Sequence, residues 1–325
     1  MTRLRLTLAS AEYDHFLDLT RGRVVPAGID LVHLELSVET IFDRFLRLRE
    51  WEISEMSFAK YCTLAASGDT SMVALPVFPL RAFRHSSLYV RDDSALEDPA
   101  ALSGLVVGVP EWAQTAGVYV RGILEREYGV DLTSIRWVQA GVNEAGRSEK
   151  VSFQLPAGID YTRRPDATLN QMLLDGEVDA IVSAHPPAAF GQGVRRLLRD
   201  PKAAELASWR STGVHPIMHV VVVRRDVVEE APWVPLSLYT AFAEARRRSL
   251  ERAANVTVSP YLVPWWSEDA ARLAGEQSDV SPYGIEPNRA TLSSFLADGR
   301  RQGLWAAALA PEDLFDPELE RTSRV

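Results

Sequence analysis

The N-terminal quarter of the chain switches repeatedly between two hydrophobic periods, and that switching restricts it to an α/β fold. Residues 3–9 alternate apolar and polar, the period of a half-buried strand. Pro26-Ala27-Gly28 forms a turn, and residues 29–36 repeat the strand pattern. Val38, Ile41, Phe42, Phe45 and Leu48 then recur at helical spacing. Residues 51–56 read as a strand, 58–66 as a helix and 72–78 as a strand. A β-β-α-β-α-β order builds a sheet covered by helices, not a bundle or a sandwich.

A second unit of the same kind starts near Asp98-Pro99. Residues 105–109 are a buried-strand signal, and a helix begins near Thr115 with Ala116, Val120, Ile123 and Leu124 on its apolar face. Gly129 is placed to cap its C-terminus. Residues 135–139 form the next strand, 141–166 a long loop, and Thr168 starts a short helix ending at Gly176. Residues 178–184 are a strand halted by His185-Pro186-Pro187. From Met218 a valine-rich strand and a long helix, 233–252, return to complete the first unit, and the tail after Asp313 is expected to be loosely ordered. With 325 residues, 46% of them hydrophobic, the chain suits two cores. The expected division is residues 1–90 plus 218–325 in lobe 1 and 91–217 in lobe 2, with crossings near 85–95 and 210–220. The cleft between two such lobes is the default ligand site.

A formal net charge of −9 argues against a nucleic-acid partner. The one cysteine, Cys62, excludes an intrachain disulfide, suits a reducing compartment and reads as a small buried hydrophobe. No apolar run approaches the ~18 residues of a membrane helix, and no signal-like segment precedes the first strand. The expectation is a cytoplasmic chain without membrane partners. Homo-oligomerisation is left open.

Dinucleotide, phosphate-loop, zinc-protease, paired-cysteine and serine-hydrolase motifs are absent, so no organic cofactor is expected. Two local features favour an anionic ligand. A strand, Pro110 and a helix start at Thr115 place free N–H groups and a hydroxyl together, where Thr115 either faces a ligand or caps its own helix. Arg81, Arg84 and His85 follow a strand end beside the expected hinge, but Arg84 and His85 cannot both face the cleft from an extended segment. A metal pair of His215 and His219 is disfavoured, because Pro216 and the valines after His219 oppose the helix it would need. Trp265-Trp266 is expected to fill a lobe interface.

Tyr13-Asp14-His15, Ser54-Glu55-Met56-Ser57, Pro76-Val77-Phe78-Pro79 with Arg81 to Ser86, Val107 to Glu111 with Thr115-Ala116, Gly146-Arg147 with Glu149-Lys150, Pro216-Ile217-Met218-His219, and Pro282 to Arg289 stand in the order typical of one family. In this the chain resembles the 4,5-dihydroxyphthalate decarboxylases from about residue 4 to about residue 315. It departs from their pattern at His185-Pro186-Pro187, where an Arg-Ala-Pro-like run is usual, and at His215, where Phe is usual. The resemblance implies a type II periplasmic-binding-protein fold turned to decarboxylation of a small aromatic carboxylate. On that basis His219 or His85 is the expected general acid. Asp14 or Glu55 is expected to take the phenolic proton or hold a metal. Arg84, Arg147 and Arg289 are expected to bind carboxylates, with Thr115 as an oxyanion contact. A divalent metal on the catechol oxygens, held by Asp14, Glu55 and a histidine, is left open. The alternative is a solute-binding protein of a transport or sensing system for a small anion.

Overall fold

The computed structural model describes residues 3–255, 257–258, 261–263, 265–276, 279–316 and 319. The first stretch runs α1 (Leu17–Thr20) and α2 (Val38–Leu48) between the strands β1 (Leu4–Ser10), β2 (Ile29–Glu35) and β3 (Ile53–Ser57), then α3 (Phe58–Ala66) and β4 (Met72–Leu75). The middle stretch holds β5 (Leu88–Arg91), β6 (Val106–Val109), α4 (Thr115–Tyr128), β7 (Arg136–Gly141), β8 (Asp160–Thr168), α5 (Leu169–Leu174), β9 (Ala180–Val182), β10 (Val194–Arg196) and α6 (Pro201–Thr212). The last holds β11 (His219–Arg224), α7 (Arg225–Glu230), α8 (Val234–Ala253), α9 (Trp266–Glu276) and α10 (Arg289–Arg301).

These strands form two sheets, ordered β2-β1-β3-β11-β4 and β10-β5-β9-β6-β7-β8. β11 enters the first sheet antiparallel, between β3 and β4. Its four valines, Val220 to Val223, are fully buried, as a strand with neighbours on both edges and layers on both faces requires. The two chain crossings pair with each other. Ala82 N–H donates to Pro216 O at 3.2 Å and Met218 N–H to Leu80 O at 2.8 Å. Arg81 clamps this ribbon through His215 O at 3.0 Å and Pro282 O at 2.8 Å.

The structure departs from the sequence expectations in three places. The long loop contains β8, an edge strand paired with β7 alone. Its charges and Pro165 suit an edge but hide the strand from a hydrophobicity reading. Leu314 and Phe315, in the tail expected to be loose, are buried, and Phe315 pairs with Ala74; residues 317, 318 and 320–325 lie outside the described residues. Trp265 is 73% exposed, so it fills no lobe interface. α10 touches both sides of the molecule: Phe295 packs on Phe58 of α3 and on Tyr119 of α4. Cys62 is buried, as expected. No helix among the described residues is long and apolar enough to cross a membrane.

Candidate active site

A cavity of about 230 Å3 lies where α2, α3, the start of α4, the loop before β8 and the start of β11 meet. β3 and β11 set its floor. His219 stands opposite Ser57 in the antiparallel register, so His219, Ser57 and Glu55 share one face of the sheet. His219 Nδ1 meets Glu55 Oε1 at 2.5 Å. Glu55 also accepts from Tyr13 Oη at 2.5 Å and from Ala11 N–H at 2.9 Å, and it is fully buried. Burial pushes the Glu55 carboxyl up, but His219, Tyr13 and Ala11 together outweigh it and hold the group below the usual carboxylate range. Burial and the Glu55 charge raise the Tyr13 phenol well above its ordinary value. Glu55 is therefore an anion that fixes the His219 ring, and with Nδ1 engaged, His219 has Nε2 for the cavity.

The remaining walls are rich in cations. Arg84 lines the cavity, and its Nε donates to the Met218 sulfur at 3.0 Å. Among the described residues no carboxylate lies within ion-pair distance of Arg84, and burial lowers its pKa. Buried Glu111 serves two cations: Lys60 Nζ from α3 at 2.9 Å and Arg147 at 2.6 Å. The Glu111 bridge thus ties α3 to the segment before α4 and to the loop before β8, with two cations on one carboxylate. The loop carrying Arg147 and Lys150 is anchored by Glu149, which accepts from Ala113 N–H at 3.3 Å and Tyr161 Oη at 2.7 Å. Burial, set against those bonds, raises the Glu149 carboxyl overall.

Thr115 does not cap its own helix. Its Oγ1 lies 3.0 Å from Ser57 Oγ and accepts from Ala59 N–H at 3.0 Å, so it stitches α4 to α3. The first turn of α4 has no side-chain cap and faces the cavity at Thr115 and Ala116. Two ion pairs cross the cleft mouth from α2: Glu39 to His185 at 3.2 Å and Asp43 to Lys150 at 3.3 Å. The hydrogen bond from His185 lowers the Glu39 carboxyl to about 2. A second hollow of about 420 Å3 shares Glu39, Gln114, Arg147, Lys150 and His185 with the first.

Five of the sequence candidates therefore meet here: His219, Glu55, Arg84, Thr115 and Arg147. Three do not. His85 turns the other way from Arg84, with Nε2 on Glu127 at 2.9 Å, and its companion is Ser208 on α6 through the same Glu127. Asp14 bonds Ser249 and Arg252 of α8. Arg289 braces Glu286 and Glu312 at the surface. The metal set of Asp14, Glu55 and a histidine is accordingly not assembled, and no trio of His, Cys, Asp or Glu among the described residues is placed to hold a metal ion. His215 and His219 are not a pair either, because His215 Nδ1 donates to Val280 O at 2.7 Å. Sequence reasoning missed Lys60. A lysine inside an apolar helical stretch was the available signal, since such a group is buried only with a partner.

No protein-family model matches the chain. Among solved structures the chain is similar to the desulfurization enzyme DSZB, with a TM-score of 0.55, 17% identity and 99% of each chain covered. It is also similar to the periplasmic aliphatic sulphonate binding protein SsuA of Escherichia coli, with a TM-score of 0.51, 16% identity, and 97% and 92% covered. Two sheets joined by a paired double crossing, with a cavity between them, define a periplasmic-binding-protein-like fold. Within that class, 36% identity over 324 residues links the chain to a 4,5-dihydroxyphthalate decarboxylase of Comamonas testosteroni, covering 98% of both. A decarboxylase of the same name from Pseudomonas putida is 39% identical over 208 residues, covering 63% of this chain and 81% of its own. The chain belongs to the 4,5-dihydroxyphthalate decarboxylase family.

Proposed function

We propose that the chain removes one carboxylate from 4,5-dihydroxyphthalate, giving protocatechuate and CO2, and that His219 supplies the proton. The observation that carries this is the buried Glu55–His219 pair, open to a cavity where Arg84 has no ion-pair partner among the described residues. Direct loss of CO2 would leave an aryl anion, which is too unstable to form. With the hydroxyl para to the departing carboxylate ionised, the ring carbon bearing that carboxylate takes a proton from His219 Nε2. A cyclohexadienone results. The bond to the carboxylate then breaks, its electron pair restores the aromatic ring, and neutral CO2 leaves. Glu55 holds the His219 ring in place through Nδ1, leaving Nε2 for the transfer. Arg84, the Lys60–Glu111–Arg147 cluster and the uncapped start of α4 bind the substrate anion. A solute-binding protein needs the cationic walls but has no use for a buried carboxylate–imidazole pair. Among partners, the acidic net charge and a cationic cavity favour a small anionic aromatic molecule over nucleic acid. The single buried cysteine favours a cytoplasmic setting.

The test is CO2 release from 4,5-dihydroxyphthalate by the wild type and by His219→Ala, with substrate binding measured by calorimetry. Loss of a general acid predicts a fall in kcat of about 100- to 1,000-fold with binding changed little. Full turnover by His219→Ala removes His219 from the proton-donor role. Binding without turnover by the wild type points to a solute-binding protein.

A further inference from the structure

Helix α2 carries two apolar stripes. Ile41 and Phe45 are fully buried in the lobe 1 core. Val38, Phe42 and Leu46, spaced four residues apart, line the cavity instead and remain partly exposed. α2 contributes no Lys or Arg to the cavity. Its charged lining groups are the carboxylates Glu39 and Asp43, while Lys60, Arg84, Arg147 and Lys150 all come from other elements. His219 belongs with the apolar wall, for its ring lies edge-on to Phe42 with centroids 4.9 Å apart.

We infer that the Val38–Phe42–Leu46 stripe seats the carboxylate that departs, while Arg84 and the Lys60–Arg147 cluster hold the one that stays. α2 thereby selects which carbon–carbon bond breaks. This deepens the decarboxylase reading proposed above and rests on it. The chemistry favours the division. The departing group begins as an anion and ends as neutral CO2, its bonding pair returning to the ring after the ring carbon has taken the His219 proton. An apolar wall that contributes no cation of its own offers the anion no counter-charge but accepts CO2, so its interaction improves towards the transition state. A guanidinium at the same place would hold the charge and oppose its loss. The retained carboxylate keeps its charge throughout, so cations there bind substrate and transition state alike.

Two unreactive ligands test the orientation: phthalate, and 2-methylbenzoate, which carries a methyl in place of one carboxylate. On this assignment calorimetry gives dissociation constants within about threefold of each other. Phthalate binding more than about tenfold tighter would mean that both carboxylates meet cations, and would overturn the assignment. Kinetics of two variants test the departing role. Leu46→Arg is expected to tighten phthalate binding about tenfold while lowering kcat at least about tenfold. The near-isosteric Val38→Thr, chosen to keep the fold, is expected to lower kcat about threefold with KM unmoved. Unchanged kcat in both folded variants, or a change confined to KM, would sink the proposal. A wild type that binds the two ligands as expected yet releases no CO2 from 4,5-dihydroxyphthalate would instead sink the decarboxylase reading, leaving the orientation of bound anions intact.

Discussion

Three donors converge on one carboxylate at the floor of the cavity, and the weight of each is accessible to mutation. Tyr13→Phe deletes a single hydroxyl from Glu55 and keeps the ring that packs edge-on to Phe16. The Glu55 carboxyl now lies below its ordinary range, so it loses its charge only as pH falls through that lowered value. With one donor gone the value rises, and protonation begins at higher pH. The acidic limb of kcat should therefore move up by about one pH unit, the worth of a charge-assisted hydrogen bond. A purely structural role for Tyr13 would lower the whole pH–rate profile without displacing that limb. The same scale explains His85. It follows Arg84 directly, and one residue of difference sends Arg84 into the cavity and His85 to Glu127 on the far side of α4.

At the level of elements, a glycine of α10 leaves room for the ring of the tryptophan that follows the helix. A Cβ on Gly299 of α10 would lie 2.1 Å from the ring of Trp305, which is itself buried. Alanine normally gains about 1 kcal/mol over glycine inside a helix, but overpacking a filled site costs about 1–3 kcal/mol. Gly299→Ala should therefore destabilise the protein. Gly275 on α9 has nothing within 4 Å of the same added atom, so Gly275→Ala should stabilise it by about 0.4–1 kcal/mol. Thermal melts of the two variants should move in opposite directions, by about 2–4 °C per kcal/mol for a chain of this size. Melting temperatures that move together would refute the packing argument.

The whole molecule is sensitive to acid through two histidines near the crossings. Burial, aided by Arg246, lowers His15 to about 4, and burial, aided by Arg81, lowers His215 to about 4. In the unfolded chain both take protons near 6.5, whereas the folded protein resists until about 4. Between those values the unfolded state binds more protons, so stability falls as pH falls, by up to roughly 3 kcal/mol for each histidine. Urea midpoints taken from about pH 7 down to about pH 4.5 should decline accordingly. His215→Phe keeps the stack on Phe83, whose ring is 4.7 Å away, and should flatten the decline. A slope equal to that of the wild type would show that His215 carries no linkage. At the cleft mouth, the pairs from α2 to His185 and Lys150 are exposed and contribute little to stability.

The alternation of hydrophobic periods is local, and local patterning determined the α/β class, most helix positions and the return of residues 219–224 into the first sheet. The valine run could lie only in a strand buried on both faces. Residue chemistry also marked His219, Glu55, Arg84, Thr115 and Arg147, because charged and titratable groups beside strand ends and helix starts are where an interlobe cleft forms. The edge strand β8 left no such mark, since pairing on one side demands no apolar face. Only the tertiary structure decided which candidates meet. Asp14 and Arg289 have side chains as suited to a site as those that were right, yet Asp14 bonds α8 and Arg289 a surface carboxylate. The ion pair of Lys60 with Glu111 joins residues far apart in sequence. Such contacts depend on the relative placement of whole elements, which no run of neighbouring residues encodes, and that placement is what turns a list of suitable side chains into a cavity with an anchored imidazole and cationic walls.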